Sequence, residues 1–89
     1  MSKDILVRFH GSMIEYTNGE SSFEPGPCQD VQGLVDAMTA RYGEPIMELV
    51  RSGACFFLVN GKGLMSTGGL DTPLEKGDRV EVLPFVDAG

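Results

Sequence analysis

Val31, Leu34, Val35, Met38 and Tyr42 fall at the spacing of a single apolar stripe on a helix, the clearest periodic signal in the chain. Asp30 stands where an N-cap belongs and Gly43 where a helix usually stops. Gly33, inside the stretch, costs roughly 1 kcal/mol against alanine; close packing on a sheet is the expected compensation. A second, shorter helical piece is expected over 45–51, with Pro45 in its first turn. One long amphipathic helix must bury its stripe against something. The rest of the chain supplies short alternating runs, the signature of strands.

Residues 5–9 alternate, with Ile5, Val7 and Phe9 on one face and Leu6, Arg8 and His10 on the other. Gly11-Ser12 breaks that strand. Residues 13–24 admit two readings. Asn18-Gly19 is a two-residue hairpin signal, so 13–17 and 20–24 pair with each other; alternatively 13–18 is a loop and only 20–24 is a strand, paired with the first. Pro25-Gly-Pro27 closes the region. A third strand is expected over 56–60, ended by Asn60-Gly61, followed by a glycine-rich, irregular stretch at 62–72. Residues 73–78 read as a turn that puts Leu74 in the core. In the last strand Val80 and Val82 alternate with Arg79 and Glu81 up to Pro84. Strands grouped around one long helix imply an α+β domain, a mixed sheet with the helix across one face.

The eighty-nine residues fit a single domain, 1–89, with 85–89 as a flexible C-terminal tail. Fully extended, that tail reaches about 17 Å at ~3.3–3.6 Å per residue. A net charge of −6 argues against nucleic acid and anionic membrane surfaces as partners. There is no apolar run long enough to span a bilayer. The start, Met1-Ser-Lys-Asp-Ile5, has an acid before a very short apolar run, unlike a signal peptide, so a cytoplasmic protein is expected. Cys28 and Cys55 form no pairing motif, and with one histidine no metal site is expected. Cys55 sits in an apolar run and reads as a core residue. Gly61-Lys-Gly63 lacks Walker spacing and precedes no expected helix, so nucleotide binding by this chain is not expected.

Thr72-Pro-Leu74, Gly77-Asp78, Val80, Pro84 and Val86 stand at a spacing that resembles the small subunit of molybdopterin synthase. Val59-Asn60-Gly61 and Arg41-Tyr42-Gly43 add to the likeness, in the same order along nearly the whole chain. That subunit belongs to the ubiquitin-like sulfur carriers, together with the sulfur carrier of thiamine biosynthesis. The resemblance implies the β-grasp, or ubiquitin-like, fold. It also implies that the chain is a carrier rather than an enzyme, binding no cofactor itself. Gly89 would be adenylated by a ubiquitin-activating-type adenylyltransferase that uses ATP, then converted to a thiocarboxylate. Its sulfur would pass to a pterin precursor inside the molybdopterin synthase large subunit. Val86, Asp87 and Ala88 would form the arm. The family usually ends in Gly-Gly, whereas Ala88 precedes Gly89 here, adding one methyl where a partner's channel must admit the tail.

Side-chain parity completes the expected site. If Val80 and Val82 face the helix, then Glu81, Leu83 and Phe85 face away, beside Leu6, Arg8, His10, Phe56 and Leu58. So apolar a face invites a partner, and His10, Phe56, Leu58, Leu83 and Phe85 are its expected contacts. Cover from within the chain, by 62–69 or the second helical piece, is the competing reading. Two other functions fit the same residues: a sulfur carrier for thiazole or another sulfur-transfer route, or a β-grasp interaction module without sulfur chemistry.

Overall fold

The computed structural model describes residues 5–64 and 68–84. Five strands form one mixed sheet in the order β2-β1-β5-β3-β4: β1 is Leu6–Phe9, β2 Ser22–Phe23, β3 Cys55–Val59, β4 Lys62–Gly63 and β5 Arg79–Pro84. β5 is central, parallel to β1 and antiparallel to β3. Helix α1 (Val31–Tyr42) lies across one face, and helix α2 (Glu44–Ser52) follows it at once. Val31, Leu34, Val35 and Met38 of α1 join Val7, Phe9, Phe57, Val59, Val80 and Val82 of the sheet in one core. This is the β-grasp arrangement. The tail expected at 85–89 lies outside the described residues.

Local chemistry explains each boundary of α1. Asp30 Oδ1 accepts from Gly33 N at 2.8 Å, and Gly43 N donates to Thr39 O at 2.8 Å. The segment Thr72-Pro-Leu74 runs beside the start of the helix. Thr72 O accepts from Val31 N, and Leu74 N donates to Gln29 O, both at 3.0 Å. The first orphan N–H of the helix is thereby satisfied, and Leu74 is buried as expected. Gly33 is not explained by close sheet packing: an added Cβ would meet only Asp30 Oδ1 at 3.4 Å and Cys28 Cβ at 3.9 Å. Its place beside the cap is what the geometry shows.

The two Asn-Gly pairs behave differently. Asn60 and Gly61 both have positive φ (52° and 86°) and form the two-residue turn between β3 and β4, which pair at Val59↔Lys62. Asn18-Gly19 makes no hairpin. Residues Gly11–Thr17 form a 3₁₀ helix, Asn18 ends it in the left-handed region, and Gly19 N donates to Ile14 O at 3.0 Å. Buried Thr17 holds this corner, with Oγ1 2.6 Å from Glu20 O and 3.1 Å from Ile14 O. The pairing of 13–17 with 20–24 is therefore corrected. The second reading stands in reduced form, because only Ser22–Phe23 is strand, paired antiparallel with β1. Nor is 62–72 wholly irregular, since it contains β4 and the 3₁₀ turn Gly69–Asp71.

A polar latch joins the end of α1 to the segment before β2. Arg41 donates to both oxygens of Glu20 (Nε at 3.1 Å, Nη2 at 2.8 Å), and Tyr42 Oη donates to Glu20 Oε1 at 2.7 Å. The guanidinium lies 5.6 Å from the ring centroids of Phe23 and Tyr42, and Tyr42 meets Phe9 and Phe23 edge-on. Arg41, then Tyr42, hold the Glu20 carboxyl below its ordinary value. Burial first, then the bond to Glu20, push the Tyr42 phenol up to about 12. Burial likewise raises the Cys55 thiol to about 11, as suits a core residue.

These shifts set two pH windows. The Glu20 contribution is present above the unfolded carboxylate value of about 4.3 and is lost as pH falls through the lower folded one. The Tyr42 contribution is present below the unfolded phenol value of about 10 and is lost as pH rises toward about 12. Urea unfolding across pH should therefore show Glu20→Gln flattening the acid limb and Tyr42→Phe flattening the alkaline limb. Limbs identical to wild type in both variants would contradict the latch.

Candidate functional site

The sheet face turned away from α1 is assembled by register. Arg8 lies opposite Glu81, Glu81 opposite Leu58, and Leu83 opposite Phe56. Because neighbouring residues alternate faces, the set Leu6, Arg8, His10, Phe56, Leu58, Glu81 and Leu83 shares one side. Its counterpart on the other side (Val7, Phe9, Phe57, Val59, Val80 and Val82) is buried. Phe56 is 42 % exposed, and Leu6, Leu58 and Leu83 are half-buried. Met47, Leu49 and Val50 of α2 pack against the core, so α2 serves the core side of the sheet; Leu64, after β4, packs there too.

One charge contact marks this face. His10 Nε2 is shielded from solvent and lies 3.0 Å from Glu81 Oε1, while the two side chains as a whole are 42 % and 40 % exposed. The approach is close enough for an ion pair when the imidazole is protonated but is not a directed hydrogen bond. Exposed Arg8 stands across from the same Glu81. The face thus carries a central patch of both charge signs, flanked by Leu6 on one side and by Leu58, Leu83 and Phe56 on the other. Such a surface suits binding. A carboxylate beside His10 orients an imidazole but supplies no nucleophile.

Four of the five expected contacts, His10, Phe56, Leu58 and Leu83, are brought together here. Phe85, the arm Val86, Asp87 and Ala88, and Gly89 itself lie outside the described residues. At the base of the arm, Pro84 is paired with Cys55 and lies beside Gly11. Sequence reasoning missed Gly11, taking it only for a strand breaker. Its meeting with Pro84 follows from the β1–β5 pairing, which no local pattern announces. The Glu20–Arg41 latch was missed for the same reason.

A model of the ThiS family matches residues 7–89. The chain belongs to the ThiS family. Together with its structural neighbours, that makes it a member of the ubiquitin-like sulfur carriers. No curated protein matches. Among solved structures, a chain of the Amycolatopsis orientalis BexX/CysO complex is 25% identical with a TM-score of 0.80, over 96% of this chain and 99% of that one. A chain of the Helicobacter pylori complex of molybdopterin-converting factor subunits 1 and 2 is 27% identical with a TM-score of 0.66, over 100% of both. The small archaeal modifier protein 1 of Methanosarcina acetivorans shares the fold at 22% identity and a TM-score of 0.77, over 100% of this chain and 99% of that one. The family's relatives are small carriers and modifiers. Among the described residues no helix is long and apolar enough to cross a membrane.

For this ThiS-family chain the alternation of faces can be read as stability. Phe57→Ala should cost about 3–5 kcal/mol, the usual loss for a buried aromatic. Phe56→Ser, one residue away and 42 % exposed, should cost clearly less, about 1 kcal/mol. Urea midpoints compare the two, and equal losses would contradict the assigned faces.

Proposed function

We propose that this protein carries sulfur on Gly89 as the small subunit of a molybdopterin synthase. The observation that carries the reading is the family match, which runs through Gly89 itself. The Thr72-Pro-Leu74 segment and the 27% identity to a chain of the H. pylori converting-factor complex, over the full length of both, support the pterin route. In the first step a Gly89 carboxylate oxygen attacks the α-phosphorus of ATP on a ubiquitin-activating-type adenylyltransferase, and pyrophosphate leaves. A carboxylate is ionised at neutral pH and a poor electrophile, so this mixed anhydride is what makes displacement feasible. Sulfide then attacks the acyl carbon and displaces AMP, leaving a thiocarboxylate. The large subunit of the synthase accepts the arm and passes the sulfur to a pterin precursor. The protein itself holds no ATP and contributes two things: the arm 85–89 and the outer sheet face, where His10, Phe56, Leu58, Leu83 and Phe85 meet the partner.

The likeness to a chain of the BexX/CysO complex favours a second reading, the same carrier chemistry feeding a different acceptor enzyme. The two readings part at the acceptor, not at Gly89.

Incubation with ATP, sulfide and the adenylyltransferase from the same source should raise the intact mass by the difference between sulfur and oxygen. Gly89→Asp should abolish that gain while leaving the circular-dichroism spectrum unchanged. An unchanged wild-type mass contradicts carriage on Gly89. If charged protein loses its sulfur to another acceptor but not to a synthase large subunit with its pterin precursor, the second reading replaces the first.

A further inference from the structure

Strand register brings two arginines to the outer sheet face. Arg8 of β1 lies opposite Glu81, and Arg79, which opens β5, lies opposite Leu6. Alternation along β5 puts Arg79 on the same side as Glu81, and both arginines are exposed. Glu81 does not neutralise Arg8. Its Oε1 lies 3.0 Å from His10 Nε2 instead. Among the described residues neither guanidinium has an ion pair or a side-chain hydrogen bond; the carboxylates in ion pairs are Glu81, with His10, and Glu20, with Arg41. Two free cations therefore stand among Leu6, Leu58, Leu83 and Phe56. The chain as a whole carries −6, so their sign opposes that of the molecule around them.

We propose that Arg8 and Arg79 determine which partner this face accepts: a protein surface that sets aspartate or glutamate carboxylates within an apolar patch. This inference rests on the carrier reading above and names the chemistry of the surface opposite the docking face. A guanidinium keeps its charge on contact. An apolar surface closing over Arg8 would bury an unpaired cation, a cost that the neighbouring leucines do not offset. A carboxylate answers it, because the planar fork of donors matches two acceptor oxygens. The net charge alone would call for a basic partner. The local arrangement calls for acid at the centre of the contact, where paired charges fix register and reject other surfaces.

Arg51 supplies the control. It is exposed in the last turn of α2, the helix on the core side of the sheet. Arg8→Glu and Arg51→Glu shift the net charge of −6 by the same two units. Only the first sets an acid against the acids of the partner. Arg8→Gln removes the charge and keeps most of the reach.

The test is the Kd of the full chain for the adenylyltransferase from the same source, measured by titration calorimetry at low and high salt. Arg8→Gln should raise Kd about tenfold, and Arg8→Glu about a hundredfold or more. Arg79→Gln should raise it as well. Arg51→Glu should stay within about threefold of wild type. Added salt should weaken wild type more steeply than Arg8→Gln, because one screened charge pair is gone. Equal Kd values for Arg8→Glu and Arg51→Glu, or wild-type binding by Arg8→Gln, would overturn the inference. Urea midpoints should not move, since the replaced side chains are exposed. Should the Arg8 variants fail to fold, Arg79→Glu against Arg51→Glu decides, and equal Kd values again overturn it. A wild-type chain that gains sulfur while showing those equalities keeps the carrier reading and loses this inference. One that neither binds the adenylyltransferase nor gains sulfur loses both.

Discussion

Insertion of β5 between β1 and β3 is the constraint on which the rest of this molecule depends. Val80 and Val82 are fully buried, and the strand carries ladder bonds on both sides. Among the described strands no other pairs with both β1 and β3. The pairing joins residues 6–9 to 79–82, near the two ends of the described chain, so its loop-closure entropy must be met before the core is complete. Cooperativity follows: α1 has its full apolar floor only once β5 is in place.

That single strand also organises the surface. Its inward residues complete the core, while Glu81 and Leu83 complete the outer face with His10, Leu58 and Phe56. The residue that ends it, Pro84, is the point from which the arm continues. The outer face and the base of the proposed arm at Pro84 are therefore products of one strand. For a carrier this matters, because a partner must grip the globule and receive the chain end together. Catalytic groups can then belong to the partner, and the face here needs only shape, apolar area and the mixed charges of Arg8, His10 and Glu81.

Much of this was legible in the residues because the signals were local. The stripe on α1, its Asp30 cap and Gly43 stop, the alternation of β1 and β5, and the burial of Leu74 all follow from short-range periodicity and capping chemistry. The outer face was also readable, since parity along a strand is a local property. What misled was Asn18-Gly19, whose φ preferences suit both a hairpin turn and the left-handed end of a 3₁₀ helix. Burial of Thr17 decided between them, and burial is a tertiary fact. The Glu20 latch joins segments far apart in sequence, so no window of neighbouring residues reveals it. The family resemblance pointed to Gly89 and to partners, but not to the latch between Glu20 and Arg41.

In the proposed function, one sheet face and the chain end work as a unit toward a partner enzyme. Cross-saturation NMR on the labelled protein bound to its adenylyltransferase tests it most directly. Transfer is expected to Leu58, Leu83, Phe56 and His10 and to 85–89 in the same complex, with Gln32 and Asp36 on the exposed side of α1 silent. Transfer centred on α1, or to the chain end without the face, would contradict it.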